Sequence, residues 1–103
     1  MRSELRVESR EDLAEAAEFY DRQRSGLGDY FIDCIFADLK SLEALGLQAG
    51  VHETVFGFHR KLATRFPFAI YYLFDGSLIE VVAVLDCRRD PESINARLLR
   101  RRS

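Results

Sequence analysis

The side chains best suited to chemistry fall in two short stretches, His59-Arg60-Lys61 with Arg65, and Asp86-Cys87-Arg88-Arg89. Guanidinium and ammonium groups at this density suit binding of phosphate or carboxylate and stabilisation of developing negative charge. They are poor proton carriers, because arginine stays charged at any ordinary pH. His59 has the unperturbed pKa of a general base, and Cys87, beside two arginines, is placed for a lowered thiol pKa. Each residue also has a plainer use: the cations as solvated charge paired with Glu80 or Asp86, His59 as a half-exposed strand residue, Cys87 as small-residue packing. Asp86 is expected to hydrogen-bond its turn and orient Arg88. Tyr71 and Tyr72 point to opposite faces of a strand, so at least one belongs to the core and the other is available to lie beside the basic residues. His52 and His59 have no cysteine or carboxylate at ligand spacing, so no metal site is expected, and nothing in the pattern asks for a cofactor.

These residues need a scaffold that brings the two stretches together, and local signals supply one. Residues 3–8 alternate weakly about Leu5 and Val7, which reads as a first strand. Ser9 reads as the N-cap of a helix, with Asp12 in the capping-box position, running to about Gln23. Leu13, Ala16, Ala17 and Tyr20 give that helix one buried stripe. Ser25-Gly26-Leu27-Gly28 breaks it, and a second helix over 28–45 places Phe31, Ile35, Leu39 and Leu42 on one face, so the two helices form an antiparallel hairpin. Gly46, Gly50 and Gly57 mark a loop leading into a strand near 58–65, and Pro67 fits the start of a further strand. Phe68 to Phe74 is apolar on both faces. Asp75-Gly76 signals a type I′ turn into a strand from Leu78 to about Asp86. Asp90 caps and Pro91 opens a last short helix, with Ile94 and Leu98 inward and Arg97, Arg100 and Arg101 outward. The run Arg100-Arg101-Arg102 suits helix-end electrostatics and a fraying tail. The order predicts an α+β fold: an N-terminal strand and helical hairpin packed on a mostly antiparallel four-stranded sheet, with a short C-terminal helix.

With 103 residues, of which 48% are hydrophobic and 12% aromatic, the chain fits a single domain over 1–103. Two isolated cysteines make a poor disulfide framework, the start Met1-Arg2-Ser3-Glu4 lacks a leader pattern, and no apolar run is long enough to span a bilayer. A reduced, cytoplasmic protein is the expectation. The net charge of −2 hides an asymmetry: residues 1–45 carry 11 acids against 6 bases, and residues 46–103 carry 6 acids against 9 bases. The C-terminal half therefore suits an acidic or nucleic-acid partner, although nucleic-acid domains are usually basic overall.

Four segments in this order resemble the RelE/ParE superfamily of bacterial toxins over nearly the whole chain. They are Asp12-Leu13…Ala16-Ala17…Tyr20, Leu27-Gly28…Phe31, Arg65-Phe66-Pro67-Phe68-Ala69-Ile70-Tyr71-Tyr72, and Ala83-Val84-Leu85-Asp86-Cys87-Arg88-Arg89-Asp90-Pro91. The resemblance implies a growth-inhibiting toxin encoded beside a small antitoxin that wraps round it. RelE-like members cut messenger RNA on the ribosome with basic residues and, commonly, a tyrosine near the C-terminus. ParE-like members inhibit DNA gyrase and lack that set. Here Ala69 stands where RNA-cleaving relatives tend to carry an arginine, and no tyrosine follows Tyr72. The ParE-like branch is the better fit. On that branch the resemblance implies target binding through Arg60, Lys61, Arg65, Arg88 and Arg89 without catalytic residues, and antitoxin contact at Ile94, Arg97 and Leu98. Two alternatives stay open: an mRNA endonuclease using the same basic residues with His59, and a non-toxic binding module.

Overall fold

A strand that is apolar on both faces needs cover on both sides, and the computed structural model provides it. The structure describes residues 2–45 and 54–102. Among these, the elements in chain order are β1 (Arg2–Leu5), α1 (Val7–Gln23), α2 (Leu27–Leu45), β2 (Thr54–Val55), β3 (Phe58–Leu62), β4 (Phe68–Phe74), β5 (Leu78–Asp86) and α3 (Pro91–Arg100). The sheet order is β1-β5-β4-β3-β2, with β1 parallel to β5 and the other neighbours antiparallel. The class is the predicted α+β, with one strand more than expected.

That strand, β2, lies at the edge of the segment read as loop. Phe56 (φ 53) and Gly57 (φ 84) turn it onto β3, both in the left-handed region that a type I′ hairpin requires. Asp75-Gly76 forms a different turn, with only Gly76 at positive φ (97). The Asp75 carboxylate accepts the amides of Ser77 at 2.9 Å and Leu78 at 2.8 Å, so the side chain organises a three-residue connection.

The helical hairpin covers one sheet face, where Leu13, Tyr20, Phe31 and Ile35 pack on Phe68, Ile70, Tyr72, Ile79 and Val84. On the other face Ile94 and Leu98 of α3 pack on Phe58, Tyr71 and Leu85. Burial of this kind contributes about 1.5–3 kcal/mol per large apolar side chain. β5 serves both cores by alternation, and its pairing slips by one residue: Tyr72 faces Val81 and Tyr71 faces Ala83, leaving Val82 as a bulge that shares the α3 face with Ala83. The two helices meet closely at Gly28, where an added Cβ would lie 2.4 Å from the Ala17 carbonyl oxygen. The Gly28 amide donates to Asp21 there at 2.7 Å.

Two boundaries differ from the sequence reading for local reasons. α1 begins at Val7, because the Arg6 amide donates to the Val81 carbonyl at 3.0 Å and the chain passes from β1 into the helix without a spacer. Ser9 is consequently inside the first turn, its hydroxyl donating to the Arg6 carbonyl at 2.7 Å, and is not an N-cap. β3 ends at Leu62, because the Thr64 amide and hydroxyl both turn to the Asp38 carboxylate. The loop glycines Gly46 and Gly50, and His52, lie outside the described residues. Cys34 and Cys87 are free thiols, and no helix among the described residues is long and apolar enough to cross a membrane.

Candidate functional site

The turn after β3 and the turn after β5 are neighbours. The Ala63 amide donates to the Phe68 carbonyl at 2.8 Å, and the Cys87 amide donates to the Pro67 carbonyl at 2.8 Å. The two basic stretches of the sequence therefore converge on one end of the sheet, with Arg65 in one turn and Arg88 and Arg89 in the other. Arg60 and Lys61 enter from β3, opposite Tyr71 and Ile70. Because residues opposite each other share a face, Arg60 lies on the α3 side and Lys61 on the helical-hairpin side. The five cations thus share one region but not one face.

Asp86 does what the sequence suggested. It accepts the Arg88 amide at 2.8 Å and the Arg88 guanidinium at 3.0 Å and 2.7 Å. These bonds hold the Asp86 carboxyl below its ordinary range, the Arg88 guanidinium being the largest influence. Cys87 takes the plainer of its two readings, packing partly buried against the α3 core. Burial pushes its thiol up, outweighing the opposing charge of Arg60, so it is not a reactive thiolate at neutral pH.

Several sequence candidates belong to the interior. Ala69 is fully buried beneath α3 and presents nothing to solvent. Tyr71 and Tyr72 are both buried, one in each core, and burial pushes the Tyr72 hydroxyl up to about 12. The His59 ring lies 5.2 Å from that of Tyr72, and its Nδ1 is buried without a hydrogen bond among the described residues. Ile94 and Leu98 are 6% and 0% exposed, being covered by the chain's own sheet. They form core here, in contrast to the partner-binding apolar surface expected of them.

Arg101 is the clearest correction. Predicted to face outward, it lies against β5 and holds Asp12 through two hydrogen bonds, 2.6 Å and 2.9 Å. Asp12 accepts the Val84 amide at 3.0 Å, and Arg101 donates to the Val82 carbonyl at 3.2 Å. Beside this pair, between α1, β5 and α3, lies a cleft of about 330 Å³ whose lining includes Glu15, Phe19, Phe68, Asp86, Arg89 and Arg97. The residues that build it went unnoticed in the sequence. A signal existed: Ser9 and Asp12 interrupt the buried stripe of α1 with polar side chains, and a buried carboxylate requires a partner. A second cleft of about 300 Å³ places Arg65 among Asp33, Cys34, Asp38 and Thr64. No metal-binding group of His, Cys, Asp or Glu occurs among the described residues.

A helical hairpin on one side of a β1-β5-β4-β3-β2 sheet, with a short helix on the other, is a ParE-like α+β fold. The chain is similar to one in the solved structure of the chromosomal ParDE TA system from P. aeruginosa, with a TM-score of 0.60 and 15% identity. The likeness covers 82% of this chain and 92% of that one. No family model and no curated protein matches the chain.

Proposed function

We propose that the chain is the toxin of a type II toxin–antitoxin pair, of the ParE kind, which inhibits growth by binding DNA gyrase in the cytoplasm. The observation that carries this reading is the fold held in common with a chain of the ParDE structure over 82% of the sequence. Binding is favoured over RNA cleavage by the state of the possible proton carriers. Tyr72 is buried and held neutral, His59 packs on it, and Ala69 is sealed beneath α3. Phosphodiester cleavage needs an acid and a base within reach of the substrate, and arginines alone supply neither. The contact set for gyrase is Arg60, Lys61, Arg65, Arg88 and Arg89, and a cognate antitoxin neutralises the toxin.

The test is to express the chain alone and with the small protein encoded beside it, then assay purified protein on gyrase. Growth arrest relieved by the neighbour, with supercoiling inhibited or cleaved DNA accumulating, is expected. Unaffected gyrase at growth-arresting concentrations defeats the reading, and cuts mapped within translated messages would replace it with the nuclease alternative. Harmless expression of the chain alone would replace it with the non-toxic binding module.

A further inference from the structure

One side of β5 runs past its neighbour. β1 reaches Val81, whereas β5 continues to Asp86. Side chains take over part of the missing ladder, Arg101 on the Val82 carbonyl and Asp12 on the Val84 amide. Antiparallel alternation past the bulge turns the Val84 carbonyl and the Asp86 amide to this same open side. The cleft of about 330 Å³ runs along them, with Phe19, 50% exposed, and Phe68 on its α1 side.

The charges lining this cleft are unbalanced. Asp12 is engaged by Arg101 and Asp86 by Arg88, while among the described residues no ion pair engages Arg89 or Arg97. Glu15 is the one lining acid left beside those two cations.

We propose that this cleft accepts a strand: an extended segment of a partner protein, alternating acidic and apolar side chains, adds to β5 at Val84–Asp86. Its backbone completes the ladder, its acids meet Arg89 and Arg97, and its apolar side chains cover Phe19 and Phe68. Strand addition of this kind draws affinity from main-chain hydrogen bonds and selectivity from alternate side chains. Nucleic acid has no alternating amides and carbonyls to offer the same edge. The toxin reading enters only in naming the antitoxin as the natural source of the segment.

The probes are short synthetic peptides with valine at alternate positions and glutamate, glutamine or lysine between, titrated into the full chain labelled with nitrogen-15. The glutamate peptide is expected to shift the amides from Val84 to Arg89 and slow exchange at Asp86. The lysine peptide should bind about tenfold more weakly or worse, since cross-interface charge decides between otherwise equal ligands. Arg97→Glu, checked by thermal melting, should reverse that order. Backbone N-methylation of the glutamate peptide should abolish binding.

Absence of shifts with every peptide overturns the proposal, as does equal binding of the lysine or N-methylated peptide. Concentration-dependent shifts at the cleft without peptide would assign it to a second copy of the chain. Tighter competition by a single-stranded oligonucleotide would assign it to nucleic acid. Gyrase inhibition is measured separately, so either idea can fail without the other.

Discussion

Arg101 grips Asp12 with both arms of its guanidinium, in a site where the two side chains are 12% and 5% exposed. The pair ties the C-terminal end of α3 to α1, with β5 between them. Arg6 reinforces it, donating to the Arg101 carbonyl while pairing with Glu80 at 3.0 Å. A positive side chain at a helix C-terminus is also favoured by the macrodipole.

Removing one partner strands the other. Asp12→Ala should cost about 3–5 kcal/mol, since it leaves a buried guanidinium without its counter-charge. For a domain of this size each kcal/mol lowers Tm by roughly 4–8 °C, so calorimetry reads the effect directly. The double variant Asp12→Ala, Arg101→Met should recover part of the loss. A single variant that melts like the parent would contradict the role given to the pair.

Gly28 allows α1 and α2 to approach. Gly28→Ala forces a Cβ to within 2.4 Å of the Ala17 carbonyl oxygen, which is backbone and cannot rotate away. The hairpin must open, at a cost of about 1–3 kcal/mol typical of overpacking. Denaturant unfolding should show a lower midpoint for this variant, whereas Gly76→Ala, with open space around it but φ 97, reports backbone strain alone.

The acid limb of stability should depend on Asp86. Its carboxyl titrates below the ordinary range in the folded chain, chiefly because of the Arg88 guanidinium. The unfolded chain therefore takes up the proton first, and the contribution is present above about pH 4 and fades as pH falls through the folded value. Asp86→Asn should flatten the fall in Tm below about pH 4, and an unchanged acid limb would show that the Arg88 contact does not matter to folding.

At the alkaline end the relevant group is Tyr72, whose hydroxyl is pushed up to about 12 by burial. A folded value above the unfolded one means stability is full below about pH 10 and is lost as pH rises toward the folded value. Ultraviolet tyrosinate absorbance should show a late-ionising component that Tyr72→Phe removes. Tyr72→Phe should reduce the slope of stability against pH in that window, whatever its effect at neutral pH.

What could be read from the sequence was what local spacing determines. The stripe of Phe31, Ile35, Leu39 and Leu42 defines the buried face of α2, and the two-faced run from Phe68 to Phe74 defines a strand covered on both sides. The convergence of Arg65 with Arg88 and Arg89 followed from hairpin order. Ser9 and Asp12 were misread because a capping pattern and a buried polar pair look alike until the partner is known, and Arg101 lies 89 residues away. Ile94 and Leu98 marked the inward face of α3 correctly. Amphipathicity cannot say whose surface covers such a face, and here it is the chain's own sheet.

The bulge at Val82 sets which way the end of β5 looks. Val82 and Ala83 share the α3 face, so Val84 returns to the helical hairpin and Leu85 to α3, in step with their β4 partners. If the same residues ran on in strict alternation without the bulge, every later side chain would swing to the opposite face, Val84 toward α3 and Leu85 toward the helical hairpin. The bulge works like a leap day: one extra unit absorbed at a fixed place, so that everything after it keeps its season.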